Sequence, residues 1–232
     1  MASEHESLLQ GQMAYYQARA GEYDEWWQRQ GRYDHGTDWN KHWVGEVEEV
    51  KQQLRHFNPT GQVLELACGT GWWTEQLVQY ADALTAVDAS SEVLAINQQR
   101  LAQHRAKIDY VQADLFTWKP SHQYDVVFFS FWLSHVPPAR FAAFWEFVRR
   151  ALKPDGRVFF IDSLGLESMT AKDQTLNDPQ TFVSRRRLND GQEFHIIKIF
   201  YDPADLMQRL HTLGWQMAVQ TTAHYFLYGT GR

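Results

Sequence analysis

Val63-Leu64-Glu65-Leu66-Ala67-Cys68-Gly69-Thr70-Gly71-Trp72-Trp73 is the stretch on which the reading of this chain turns. Val63 to Ala67 is apolar except for one acid, the pattern of a strand entering an interior. Two glycines one residue apart follow, and Trp72 to Val78 has the character of the first turns of a helix. A glycine bend between strand and helix lets the backbone approach a ligand and aims free helix N–H groups at it. Glu65, four residues before the first glycine, suits a ligand carrying a positive charge better than a pyrophosphate. The dinucleotide fingerprint needs a third glycine three residues after the second, where Thr74 stands.

Upstream of this loop the chain reads as helical. Residues 1–12 are polar and expected to fray, and from Met13 the residues Tyr16, Ala20, Tyr23 and Trp27 recur at helical spacing. Gly31 to Gly36 breaks that stripe. Asp38 is then a candidate N-cap for a second helix with Trp43, Val47, Val50 and Leu54 inward.

Downstream, strands and helices alternate. Leu84 to Asp88, Tyr110 to Asp114, Val126 to Ser130 and Val158 to Ile161 read as strands, and the all-apolar Val126–Phe129 run suits a strand covered on both faces. Ser90 can cap a helix bearing Val93, Ile96 and Leu101, and Pro137-Pro138 opens one bearing Phe141, Phe144, Trp145, Val148 and Leu152. Phe182–Leu188 and Glu193–Phe200 flank Asn189-Asp190-Gly191, a strong hairpin signal. Asp202-Pro203 starts a helix through Leu213, and Tyr225 to Tyr228 is a last strand. The alternation predicts one core over residues 58–232, with a hairpin insertion at about 182–200 and a helical cap or lid over 1–57.

Composition narrows the function. The chain has 232 residues, 44% hydrophobic, with a net charge of −6 and no extended cluster of lysine or arginine, so nucleic acid is not expected as a partner. Arg185-Arg186-Arg187 reads as a solvated strand face. One cysteine, Cys68, argues against a disulfide framework or a cysteine-rich metal site, and no metal is expected. With no apolar stretch resembling a signal or a membrane span, a cytoplasmic protein with no membrane association is expected. Ten tryptophans, ten tyrosines and fourteen phenylalanines are more than a core of this size needs.

In an alternating sheet of this kind ligands bind at the carboxyl ends of the strands. Glu65 with Ala67–Gly71, Asp88, Asp114 and Ser130 all fall there, and an ionised Asp88 can accept from two ribose hydroxyls. Glu65-Leu-Ala-Cys-Gly69-Thr-Gly71, Val87-Asp88-Ala89-Ser90, Gln112-Ala113-Asp114-Leu115 and Leu152-Lys-Pro-Asp-Gly156 together resemble the motifs of the class I S-adenosylmethionine-dependent methyltransferases. The resemblance covers about residues 60–165, with Ala67 where the family often carries glycine. It implies an α/β, doubly wound Rossmann-like seven-stranded sheet, mostly parallel with an antiparallel C-terminal strand, and an N-terminal helical lid.

It also implies S-adenosyl-L-methionine as cofactor and a set of roles. Glu65, Ala67, Gly69 and Gly71 would line its methionine end, Asp88 and Ala89 its ribose and adenine, Asp114 and Leu115 the adenine edge and face, and Ser130 the sulfonium. Tyr15, Tyr16 and Arg19 resemble lid residues, Arg19 facing the cofactor's carboxylate or standing on the surface. His135, in the loop after the fourth strand, is the candidate base, with a packing role as its competitor. Tyr23, Trp27, Trp72 and Trp132, with His135, are candidate substrate residues, pointing to an aromatic or apolar acceptor methylated on O, N or S. An NAD(P)-dependent oxidoreductase and a non-catalytic cofactor-binding partner protein remain the alternatives. The chain is expected as monomer or homodimer, with the 182–200 hairpin either covering substrate or building a dimer.

Overall fold

The fold is organised by a seven-stranded sheet in the order β3-β2-β1-β4-β5-β9-β8. Its strands are β1 (Gln62–Leu66), β2 (Ala83–Asp88), β3 (Ile108–Gln112), β4 (Tyr124–Ser130), β5 (Leu152–Ser163), β8 (Met217–Thr221) and β9 (Phe226–Gly231). The computed structural model describes residues 2–174 and 182–232. β1 to β5 run parallel, and β9 lies antiparallel between β5 and β8. The direction of succession reverses between β1 and β4, which opens a crevice at their carboxyl ends. β8 had no signal in the sequence. It is an edge strand with half-buried and exposed positions only, so it carries no apolar run to betray it.

β4 shows why the sheet is buried on both faces. Phe128 pairs in register with Phe159 and stacks on it at 6.0 Å, while Phe129 pairs with Phe160 at 5.5 Å on the opposite face. Each such ring, fully buried, contributes roughly 2–3 kcal/mol of apolar transfer. One face is covered by α3 (Thr37–Phe57), α4 (Thr74–Leu77) and α5 (Ser91–Arg100), the other by α6 (Phe141–Ala151) and α7 (Pro203–Thr212). Ser90 caps α5 by accepting from Val93 N at 3.3 Å, and Asp202 caps α7 by accepting from Ala204 and Asp205. Asp38 does not cap α3. That helix starts at Thr37 behind Gly36, and Asp38 lies within its first turn.

The N-terminal segment departs most from its pattern. α1 spans Ala2–Ala18, including the residues expected to fray, and the Tyr16–Trp27 stripe is broken by a turn at Ala20–Glu22 before α2 (Tyr23–Trp27). Tertiary contact supplies the missing stability. Gln12 is buried, accepts from Ile197 N at 3.1 Å and donates to His135 O at 3.4 Å, while Leu9 joins the core. α1 thereby seats on a two-stranded hairpin, β6 (Val183–Arg187) and β7 (Glu193–Ile197), which forms its own small sheet.

Candidate active site

Two chambers meet at the carboxyl ends of β1 and β4. The larger, about 370 Å³, is roofed by α1 and floored by the strand ends. Ala67, Gly69, Asp88, Ala89, Asp114, Leu115 and Ser130 line it, as does Trp132. The smaller, about 70 Å³, lies between α1, the end of β5 and the hairpin. Tyr16, Tyr23, Phe131 and His135 face both chambers and form the wall between them.

The floor of the larger chamber is built from main-chain strain and buried carboxyls. Ala67 and Phe131, the residues that turn the chain out of β1 and β4, both hold left-handed backbones, φ +54° and +52°. A Cβ on Gly71, φ +95°, would lie 2.7 Å from Asn97 Oδ1, so only glycine brings the loop this close to α5. Asp88 accepts from Gly69 N and Ser90 N, each at 3.0 Å, and burial pushes its carboxyl above the usual range. Asp114 accepts from Phe116 N at 2.9 Å. Glu65 lies beneath the loop, 1% exposed, with no hydrogen-bond partner for either oxygen among the described residues. Burial pushes it up to about 8. An orphaned buried carboxyl at this place is a fit for a cationic ligand group and a misfit for a pyrophosphate.

The smaller chamber is cationic, and much of it was not legible beforehand. Arg19, Arg186 and Lys198 line it with Tyr15 and Tyr33. Arg19 therefore sits in this chamber, not in the larger one. Its guanidinium lies against the rings of Tyr15, Tyr23 and Tyr33, at 4.8 Å from Tyr23, and donates to Tyr33 Oη at 3.2 Å. Arg186 corrects the reading of the basic run: Arg185 and Arg187 are exposed, but Arg186 is 9% exposed and points inward. Strand alternation around Ser184 and Leu188, both buried, was the signal that could have found it.

His135 connects the two chambers. Its Nδ1 donates to Ile197 O at 2.5 Å, which leaves Nε2 to accept from Tyr16 Oη at 2.7 Å. Burial, and then the nearby Lys198 charge, hold the imidazole well below its usual pKa, so it is neutral.

Among the candidate substrate residues, Tyr23 and Trp132 reach the chambers, whereas Trp27 and Trp72 line neither. Trp72 stacks on Trp27 at 5.5 Å, and Trp27 meets Trp26, Trp43 and Phe131 in the core. Their role is to seat α2. Asp24 accepts from Thr70 Oγ1 at 2.7 Å and Trp72 Nε1 at 2.9 Å and pairs with Arg100, tying the helical segment to the glycine loop. On the other side Asn189, at the hairpin tip, donates to Glu22 and Glu25. Among the described residues no group of three or more His, Cys, Asp or Glu could hold a metal ion, and no helix is long and apolar enough to cross a membrane.

Comparison with known proteins agrees with this geometry. A family model described as a methyltransferase domain matches residues 63–156. A ubiquinone biosynthesis O-methyltransferase of Citrobacter koseri is 31% identical over 101 residues, 43% of this chain and 41% of that one. This chain thus spans about half the length of the curated relatives it matches. Two solved structures extend over the whole fold: a DhpI–SAM–HEP complex, 39% identical over 97% of each chain with a TM-score of 0.80, and a DhpI–SAH complex with a TM-score of 0.78, covering 97% of this chain and 96% of that one.

Proposed function

The chain belongs to the class I S-adenosylmethionine-dependent methyltransferases, and from that premise we propose that it methylates an oxygen of a small oxyacid anion held in the cationic chamber. One observation carries the choice of acceptor. Among the described residues Arg19, Arg186 and Lys198 line the chamber and no carboxylate does, Asp162 pairing with Lys198 from outside the lining, so the chamber holds an excess of positive charge beside the cofactor crevice. Burying such an excess is costly unless a ligand compensates it. That charge favours an oxyanion over the planar or apolar acceptor suggested by aromatic content. A volume of about 70 Å³ takes on the order of five to seven water-sized groups, which limits the acceptor's size.

Bound S-adenosylmethionine supplies an electrophilic methyl group on sulfur, whose leaving group is a neutral thioether. Everything else falls to this chain. Glu65, buried beneath the loop, would as carboxylate meet the cofactor's ammonium, the Gly69 backbone would lie along its methionine end, and Asp88 would accept from its ribose hydroxyls. Asp114, Ala89 and Leu115 would bound the adenine, and Ser130 would lie near the sulfur. α1 excludes water from above. In the smaller chamber the cations would hold the acceptor's oxygens, one of them turned toward the wall of Tyr16, Tyr23, Phe131 and His135 that both chambers share. An oxyanion arrives already nucleophilic, so no proton has to leave. His135 then serves to fix the Tyr16 hydroxyl in the wall.

The test is methyl transfer from labelled cofactor to panels of small phosphonic, phosphoric and carboxylic acids and to neutral phenols and amines. Methyl esters of an acid are the expected products. Turnover confined to neutral acceptors refutes the anionic reading.

A further inference from the structure

We propose that Asp162 is a positioning residue of the small chamber, holding the Lys198 ammonium at the chamber wall as the anchor for an anionic acceptor. The inference rests on the acceptor reading above and goes beyond it, because Asp162 lines neither chamber. It stands at the carboxyl end of β5, 1% exposed. Its Oδ2 accepts from Ser134 N and its Oδ1 from Ser163 N, each at 2.8 Å. Those bonds fix the carboxylate on two elements at once, β5 and the loop that carries His135.

Lys198, 9% exposed, reaches this anchor from the segment following β7. Its Nζ donates to Ser134 Oγ at 2.8 Å and Ser163 Oγ at 3.2 Å, and lies 3.4 Å from Asp162 Oδ1. The last is the longest and weakest of the three hydrogen bonds, and its N–H is the one a ligand oxygen can share.

The charges explain why an anchor is needed. Around the ammonium stand Asp162 on β5, Arg186 on β6, Arg19 beyond α1, His135 in the loop after β4, and Tyr15 and Tyr16 on α1. Burial first, and also the two guanidiniums, press Lys198 to give up its proton, and Asp162 opposes them. Without the carboxylate, the lysine loses charge or leaves the wall, and the acceptor loses its third cation.

Calorimetry of inorganic phosphate binding to the protein saturated with S-adenosylhomocysteine, from pH 6 to 9.5, tests this. Asp162→Asn is expected to weaken phosphate by about tenfold or more at pH 8 and to move the alkaline loss of binding to lower pH. S-adenosylhomocysteine affinity should not change. In a Lys198→Met background Asp162→Asn should have no further effect on phosphate, which a merely structural role would not reproduce. Should Asp162→Asn not fold, Ser163→Ala removes one Nζ partner and keeps the main-chain bonds of Asp162, with an expected loss of about threefold. Equal phosphate affinity and an equal alkaline midpoint in wild type and Asp162→Asn (or, in its place, Ser163→Ala) overturn the proposal alone. Absence of phosphate binding to the wild type overturns the anionic-acceptor reading, and the proposal with it.

Discussion

Replacing Glu65 by glutamine should make the cofactor-free protein more stable and a worse binder. Burial raises this carboxyl from its usual value near 4.5 to about 8. The native state therefore keeps a proton that the unfolded chain has already released across that interval. Since the unfolded state binds fewer protons, stability falls as pH rises through the window and levels off above it. The full loss is roughly 4–5 kcal/mol, of which about 1 is expressed at pH 5.5 and about 3 at pH 7. Glutamine mimics the protonated acid and does not titrate. Relative to wild type, Glu65→Gln should thus gain on the order of 3 kcal/mol between pH 5.5 and 8.5, about 6–12 °C in melting temperature for a chain of this length. Chemical denaturation of both ligand-free proteins at several pH values measures it. The cofactor reverses the balance, because its ammonium calls for the carboxylate. Wild type should expel close to one proton on binding S-adenosylhomocysteine at pH 7, visible by calorimetry in buffers of different ionisation enthalpy. Glu65→Gln should expel none and bind at least about thirtyfold more weakly. A stability difference independent of pH, or an unchanged affinity, refutes the reasoning.

Three further outcomes follow from the same geometry. Ala67→Gly should relieve the left-handed backbone at φ +54° and stabilise the protein by about 0.5–1 kcal/mol with cofactor affinity unchanged, as read by thermal melting and calorimetry. His135→Asn should slow methyl transfer by about tenfold through loss of the Tyr16 contact, and not by the hundredfold or more that removing a general base costs; steady-state kinetics on the best anionic acceptor decide between the two. Asp24→Ala should release the helical segment from Thr70, Trp72 and Arg100, costing about 1–3 kcal/mol in denaturant and weakening S-adenosylhomocysteine, whereas an unchanged affinity would separate the segment from cofactor binding.

The acceptor reading also bears on what happens after transfer. A methyl ester carries one negative charge fewer than its acid, and at about 4 Å in a partly screened site a unit charge is worth up to about 4 kcal/mol. The product is thus held less firmly by Arg19, Arg186 and Lys198 than the acid it came from.

The sequence by itself determined the parallel sheet and the larger chamber. Gly69, Asp88, Asp114 and Ser130 line that chamber at or just past the ends of apolar strands, with Glu65 buried beneath, and both the strand periodicity and the glycine bend are local properties of a few consecutive residues. The same local logic announced the hairpin at Asn189-Asp190-Gly191, the cap at Ser90 and the helix start at Asp202-Pro203. It missed β8, whose positions are too exposed to carry an apolar signature, and it shortened α1, whose stability comes from Gln12 and Leu9 meeting distant partners.

Only the tertiary structure decided the smaller chamber. Arg19, Tyr33, Ser163, Arg186 and Lys198 come from the turn after α1, the turn before α3, β5, β6 and the segment after β7, and no periodicity relates them. Arg186 reads as a solvated charge and Lys198 carries no signal of its own until the hairpin folds beneath α1 and removes both from water. Conversely, Trp27 and Trp72 read as pocket walls, but they stack on each other, Trp27 in the core and Trp72 half-buried against it. Strand ends advertise a cofactor site because backbone geometry puts it there, whereas the acceptor's chamber depends on which distant side chains the closed chain brings face to face.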